Sequence, residues 1–244
     1  TTFSAGLNKK LNDYGHVYVN WSEIFKAPNV DDLFYNDPNM GVGNLDLKPE
    51  TGDTWTVGYS SKINAKTDFG INYFESDLKD AIAWDINVWP CEVKNISNQK
   101  KKGMELTVNH NVNDNLNINA SYTYLQVEND DGNGYYRDTN YVPNMYRLGL
   151  NYKDGKWNAD AYLRYGNGAS TSYNPDKYNV PYLDDSYLTI DLAVTYQATK
   201  DLSFYAKGYN LFNEAFADQA GVSGGSYKYP AQSRRFIVGA EYKF

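Results

Sequence analysis

The chain has 244 residues, 30 Asp and Glu against 23 Lys and Arg for a net charge of −7, and a mean hydropathy of −0.67. That acidic balance argues against a nucleic-acid partner, the one cysteine (Cys91) excludes an internal disulfide or a cysteine metal cluster, and no apolar run approaches the roughly 18 residues of a spanning helix. Aromatic residues make up 16%, with 24 Tyr and 5 Trp, which fits either a tyrosine-rich β-sandwich or the two aromatic girdles of a membrane barrel.

Taken in chain order, segments of alternating character recur from one end to the other. Thr1 to Ala5 is already strand-like and carries no charged start followed by an apolar run, so no leader peptide is read here. Phe3, Ala5 and Leu7 oppose Ser4, Gly6 and Asn8; Val17, Val19 and Trp21 oppose His16, Tyr18 and Asn20. The same parity continues through Trp55–Tyr59, Phe69–Phe74, Met104–Asn109, Leu116–Tyr124, Tyr146–Tyr152, Trp157–Arg164, Leu188–Tyr196 and Leu202–Tyr205. The last segment, Phe236 to Phe244, has Phe, Val, Ala, Tyr and Phe at its even positions and ends on an aromatic inside the alternation. Eleven strands follow. The set opposite the apolar one is Asn, Thr, Ser, Gly and Arg, too hydrophilic for a second packed face and suited to a wetted lumen.

The connections alternate between short and long. Short turns rich in Asn, Asp and Gly fall at 12–15, 64–66, 113–115, 154–155 and 200–201, as tight hairpins require. Long connections are predicted at about 26–51, 84–99, 127–142, 167–186 and 213–232. All the long ones then lie at one end of the strands, which is the asymmetry of an outer-membrane barrel with short periplasmic turns and long extracellular loops. The predicted fold is therefore all-β, an antiparallel transmembrane β-barrel. An odd number of antiparallel strands cannot close, and an open edge in lipid leaves backbone groups unpaired, so residues 1–244 are expected to be the C-terminal portion of a larger barrel, an incomplete single domain. Phe244 then marks the periplasmic end.

Five motifs carry a family resemblance. The first long connection holds Phe25-Lys26-Ala27-Pro28 and, further on, Gly43-Asn44-Leu45-Asp46-Leu47-Lys48-Pro49-Glu50. Later come Gly103-Met104-Glu105, then Asn210-Leu211-Phe212-Asn213, then Arg234-Arg235-Phe236 running to Phe244. In this order and over the whole chain they resemble the TonB-dependent outer-membrane receptors, with Lys26 where Arg is usual and Ser233 where Gly is usual. The resemblance implies a barrel of about 22 strands around an N-terminal plug, of which the chain has about half and no plug. It implies uptake of a ferric siderophore or similar iron chelate, driven through the TonB complex by way of the missing part, with no cofactor and no resident metal. The same motifs equally serve a corrinoid (cobalamin-like) receptor. Its partners are then outer-membrane lipid and lipopolysaccharide, the missing plug and barrel half, and a small-molecule metal chelate.

Candidate ligand residues lie in the long connections and the upper lumen. Tyr135, Tyr136 and Arg137 offer aromatic faces beside a guanidinium, against a plainer reading as a solvated loop with girdle tyrosines. Asp31, Asp32, Tyr35, Asn36 and Asn39 form a second polar and aromatic group, and Tyr173, Tyr178 and Tyr182 a third. Arg147 and Arg164 point to the lumen by parity. Pairing with Asp160 or Asp191, or with a plug carboxylate, is the favoured role of both, and Arg164 also counts among the ligand candidates. Lys100, Lys101 and Lys102 begin a strand near the outer surface, to meet lipopolysaccharide phosphates or water. Haem receptors of the family commonly place a His between the halves of the first motif. None lies between Pro28 and Pro49, and the two histidines, His16 and His110, sit elsewhere. A barrel protease or phospholipase needs a His beside a nucleophile at one end of the barrel, which the sequence does not suggest. A soluble carbohydrate-binding β-sandwich remains the third class.

Overall fold

The structure is a computed structural model and describes residues 1–85, 88–130, 132, 134–139, 141–170, 186–220 and 228–244. In chain order its elements are β1 (Ser4–Lys10), β2 (Gly15–Lys26), α1 (Val30–Phe34), β3 (Asn36–Asp37), β4 (Gly41–Val42), β5 (Glu50–Asn64), β6 (Thr67–Asp85), β7 (Cys91–Asn111) and β8 (Leu116–Asp130). There follow β9 (Tyr135–Arg137), β10 (Asn144–Asp154), β11 (Trp157–Asn167), β12 (Tyr187–Gln197), β13 (Leu202–Tyr209), β14 (Ala217–Ala220), β15 (Lys228–Pro230) and β16 (Arg235–Tyr242).

One antiparallel path joins β1-β2-β5-β6-β7-β8-β10-β11-β12-β13-β16, and these are the eleven strands predicted from alternation. The path is open between β1 and β16. Three of the short turns are closed by their own side chains. Asn12 accepts from the amides of Tyr14 and Gly15 (2.9 and 2.8 Å), Asn113 from those of Asn115 and Leu116 (2.9 and 2.8 Å), and the Thr199 hydroxyl from those of Asp201 and Leu202 (3.3 and 3.1 Å). These local bonds are why Asn and Thr stand there. Gly155 has φ 53, a conformation that costs glycine little.

Little of the chain is interior, because each strand turns one face outward and the other to the lumen. The outward face carries aromatic rows at both levels. Tyr122, Tyr146 and Tyr165 stand in register across β8, β10 and β11, with ring centroids 4.7 and 5.9 Å apart. At the opposite level Trp157 meets Tyr196 (4.6 Å) and Tyr242 meets Phe244 (5.2 Å, T-shaped). The Tyr73 hydroxyl donates to Glu75 (3.1 Å), that of Tyr124 to Gln126 (3.3 Å) and that of Tyr152 to Asp154 (3.2 Å), so rings lie in the apolar band while hydroxyls reach its polar edge. The inner face is an amide network. Asn119 donates to Asn151 (2.9 Å), Asn151 to Asp160 (2.8 Å), Asn117 to Asn111 (2.8 Å) and Asn72 to Glu105 (3.2 Å).

One of the predicted long connections is mostly ladder and a second is so in part. β6 and β7 stay paired as far as Asp85↔Glu92, so most of 84–99 is strand, and within 127–142 β9 pairs with the end of β8. A membrane crossing needs only about 9–11 residues, so β6 and β7, with 19 and 21, project beyond it on the long-connection side. The register shifts around Asp80 and the continuous apolar run Ala81–Trp84 break the alternation there.

Candidate functional site

The long-connection end of the sheet is organised around the first motif. Lys26 and Glu50 are register partners at the last rung of β2 and β5. Lys26 Nζ lies 3.1 Å from one Glu50 oxygen and 3.2 Å from the other, and Glu50 also accepts from the Ile82 amide at 2.9 Å. The carboxylate is only 5% exposed. The two halves of the motif therefore meet as one clamp that ties β2 and β5 to β6, where β6 breaks register around Asp80 (φ 55). Phe25 faces outward and is exposed, while Ala27 and Pro28 leave the ladder.

Between the motif halves the chain is tightly built. Asn29 caps α1: it accepts from the Asp32 amide (2.9 Å), and the Asp32 carboxylate accepts from the Asn29 amide (3.0 Å). Asp32 is thereby committed to the cap and Asp31 stays exposed. Tyr35 ends the helix and packs edge-on against Trp84 (5.5 Å, 85°). Asn36 lies in β3, paired with Val42 of β4, and β4 runs parallel to the start of β7. At Gly43 a Cβ would come within 2.7 Å of the Leu33 carbonyl carbon, so the close approach admits only glycine. Asn44 donates to the Val93 carbonyl (3.1 Å), and Leu47 and Pro49 are half-buried as the chain returns to β5. Asn95 was not singled out from sequence. It donates to the carbonyls of Lys48 (2.9 Å) and Asp80 (2.7 Å) and accepts from the Lys48 amide (2.8 Å), stitching connection to bulge.

The other motif residues are equally structural in placement. The Phe74 ring lies over Gly103, and Glu105 accepts from Asn72. Asn210 is buried with φ 48. Its amide donates to Asp191 (2.8 Å), its side-chain nitrogen donates to the carbonyls of Glu214 (2.9 Å) and Gln232 (3.1 Å), and its oxygen accepts from the Glu214 amide (2.8 Å). It holds both ends of the last long connection. The Leu211 amide donates to Ile190 (2.9 Å), Phe212 is exposed, and the Arg234 amide donates to Asn213 (3.0 Å) while its guanidinium lies over Phe236 (5.9 Å).

Strand geometry splits the Tyr135-Tyr136-Arg137 group. Tyr135 and Arg137 share the outward face of β9 with Asp130 and Glu128, while Tyr136 sits opposite Asn129 on the other face. Lys100 Nζ stands over the Tyr135 ring (4.4 Å), and the Arg137 guanidinium donates to the Gly168 carbonyl (3.2 Å). The three thus do not form a single grip. Lys100 and Lys102 also face outward, opposite Asp77 and Glu75, whereas Lys101 turns inward and lies 6.0 Å from the Tyr141 ring. Burial, and then the nearby Asp138 charge, raises the Tyr141 hydroxyl pKa. At the tip of the β6–β7 hairpin, hydrogen bonds to Glu92 and then Asp85 raise that of Lys94.

Arg147 and Arg164 do face the lumen, but the expected pairs with Asp160 and Asp191 do not form. Asp160 is taken by Asn151 and Asn158 (2.8 and 3.2 Å), and Asp191 by the Asn210 amide. Arg164 instead lies 5.5 Å from each of the stacked rings of Tyr187 and Phe216, both buried. Tyr173, Tyr178 and Tyr182 lie outside the described residues. His16 meets Ser60 at 2.9 Å near the short turns, and His110 meets Thr67 at 2.8 Å; register brings both pairs together across neighbouring strands.

An open sheet with a lipid-facing outside, an amide-lined inside and a motif clamp at its long-connection end meets its match in sequence. The family model described as "TonB dependent receptor-like, beta-barrel" matches residues 1–211. The chain belongs to the TonB-dependent receptors. This is a family of outer-membrane β-barrels, which puts the outward tyrosines and tryptophans in the bilayer. The chain is 26% identical over 255 residues to a vitamin B12 transporter, BtuB, of Vibrio vulnificus (strain YJ016), covering 100% of this chain and 37% of that protein. It is 27% identical over 243 residues to an iron-regulated outer membrane virulence protein of Vibrio cholerae serotype O1 (El Tor), covering 90% and 36%. Among solved structures it superposes on the copper transporter OprC with a TM-score of 0.76 at 18% identity, over 99% of this chain and 38% of that one. The ferric enterobactin receptor PfeA of Pseudomonas aeruginosa gives 0.76 at 18%, over 100% and 40%. At these identities the superpositions show the fold. The chain spans between 36% and 40% of the length of these proteins.

Proposed function

We propose that this TonB-dependent receptor barrel belongs to a transporter that takes up a ferric siderophore or similar iron chelate across the outer membrane, energised by the TonB complex. The observation that carries the reading is the wall itself: a polar inner face, an apolar outer face, and a motif clamp at the end of the strands where the long connections begin. A wall of this kind is a conduit and not a stable soluble module, which sets the β-sandwich reading aside. The rest of the protein then supplies the plug and an odd number of strands, since β1 and β16 run in the same direction and each needs an antiparallel neighbour. The TonB complex acts through that part. The outward Lys100 and Lys102, above the Tyr73 and Tyr124 rings, stand at the level of lipopolysaccharide phosphates.

Iron is favoured by the iron-regulated Vibrio cholerae relative and the enterobactin receptor. The Vibrio vulnificus relative favours a corrinoid as the second reading. A catalytic role is not favoured. Ser60 and His16 meet (2.9 Å), and among the described residues no carboxylate hydrogen-bonds the His16 ring to orient it as a general base requires. Deleting the complete gene tests the assignment: growth under iron chelation should fall while corrinoid-dependent growth persists. The reverse pattern would assign the protein to corrinoid uptake.

A further inference from the structure

The short-turn end of the sheet is cationic, although the net charge of the chain is −7. The five short turns with the strand ends beside them, residues 9–15, 62–68, 111–116, 153–157 and 198–202, together with position 243, carry eight lysines against five aspartates. Closing a hairpin does not call for lysine, since the turn amides are satisfied by Asn12, Asn113 and Thr199. In an outer-membrane barrel this end meets the periplasmic leaflet, whose surface is made of phospholipid headgroups.

The outward wall of β10–β13 organises two of these lysines. Trp157 stands opposite Tyr196 across β11 and β12, and Tyr196 opposite Phe204 across β12 and β13, so three rings form one row at the rungs next to the turns. The Lys156 ammonium lies 5.9 Å from the Tyr196 ring and donates to the Ala198 carbonyl (2.8 Å), which carries it from one turn to the next beneath the row. An ammonium has three donors, and among the described residues no carboxylate pairs with this one. Lys200 follows in that second turn, its side chain 90% exposed and 3.8 Å from Asp201, a contact that water screens to little. Asp154, opposite Trp157, accepts from the Tyr152 hydroxyl (3.2 Å). Above the row the outward residues of β10 and β12 include Leu148, Leu150, Leu192 and Val194.

We propose that the short-turn end of the β10–β13 outer wall is a binding surface for an acidic phospholipid of the periplasmic leaflet, with its phosphate held by Lys156 and Lys200. Tyrosine and tryptophan rings at a membrane edge sit at headgroup level, so a phosphate just beyond this row meets both ammonium groups. Each ammonium is a compact point charge that donates charge-assisted hydrogen bonds to phosphate oxygens. The acyl chains lie against the leucines and Val194 above. Phosphatidylcholine carries a quaternary ammonium next to its phosphate and gains little from two lysines. The role goes beyond the uptake reading and is the same whether the transported ligand is an iron chelate or a corrinoid.

The full-length receptor in neutral detergent, titrated with phosphatidylglycerol, cardiolipin and phosphatidylcholine and read by native mass spectrometry, tests the assignment. Both acidic lipids should bind about tenfold or more tightly than phosphatidylcholine, and their affinity should fall as salt is raised. Lys156→Ala and Lys200→Ala should each weaken acidic-lipid binding about fivefold, and the double variant about 30-fold, with phosphatidylcholine unchanged. Lys156→Arg should keep the affinity, and Lys102→Ala, at the other end of the strands, should leave it as in the wild type. Heat-modified gel mobility confirms that each variant is folded. A cardiolipin affinity above that of phosphatidylglycerol would support a two-phosphate headgroup with one lysine on each phosphate, and equal affinities a single phosphate shared by both lysines. Equal binding of phosphatidylcholine, wild-type affinity in the folded double variant, or the same loss from Lys102→Ala would overturn the proposal and leave the uptake reading standing.

Discussion

Replacing Glu50 by alanine removes the centre of the clamp at the root of the first long connection. The carboxylate is 5% exposed and accepts from the Ile82 amide at 2.9 Å, at the point where β6 breaks register. A hydrogen bond to a charged acceptor contributes about 1.5–3 kcal/mol, and the truncation leaves the Ile82 amide without that acceptor. Lys26 adds less. Its side chain is 59% exposed, so the ion pair is worth about 0–1 kcal/mol after screening by water, and the freed ammonium returns to solvent. Each 1.36 kcal/mol is a factor of ten, so amide hydrogen exchange at Ile82 in the full-length receptor should accelerate about 10- to 150-fold in Glu50→Ala. Lys26→Ala should accelerate it by less than about fivefold. Mass spectrometry of the peptide spanning 78–85 reads both. Unchanged exchange in Glu50→Ala, or an equal effect of Lys26→Ala, would show that the buried carboxylate is not what secures the bulge.

Three further outcomes follow from the same geometry. Leu148→Arg, on the lipid face at mid-strand, should destabilise the receptor by about 2–4 kcal/mol in urea unfolding from vesicles, while Thr107→Arg on the inner face should cost less than about 1 kcal/mol; equal costs would contradict the assigned faces. Asn210→Ala deletes three side-chain hydrogen bonds at a buried position and places alanine at φ 48, so folding yield should drop sharply, with Asn210→Gly recovering only the backbone share. Lys94 has its pKa raised by Glu92 and then Asp85, so its contribution is complete below the ordinary lysine value of 10.5 and is lost as pH rises through the raised one. The fluorescence of Trp84 and Trp89, which flank the hairpin tip, should therefore shift only at strongly alkaline pH, whereas Lys94→Met should show the shift at neutral pH.

Alternation alone determined that there are eleven spanning strands, which face of each meets lipid and which end carries the long connections. Side-chain period two is a local property, and a pleated strand cannot turn Leu148 and Arg147 to the same side. The motifs were legible too, because a glycine pressed against the Leu33 backbone or an asparagine at φ 48 tolerates few substitutes. What the motifs do was decided in three dimensions. Lys26 and Glu50 stand 24 residues apart, and Asn95 reaches Lys48 across 47, distances at which no local pattern signals a bond. The projecting β6–β7 hairpin escaped because the register shifts around Asp80 and the unbroken apolar run Ala81–Trp84 interrupt the alternation there. The fate of Arg147 and Arg164 depended on which partners Asp160 and Asp191 had already accepted. A charge's counter-ion is set by competition among all its neighbours at once, and only the assembled sheet brings those neighbours together.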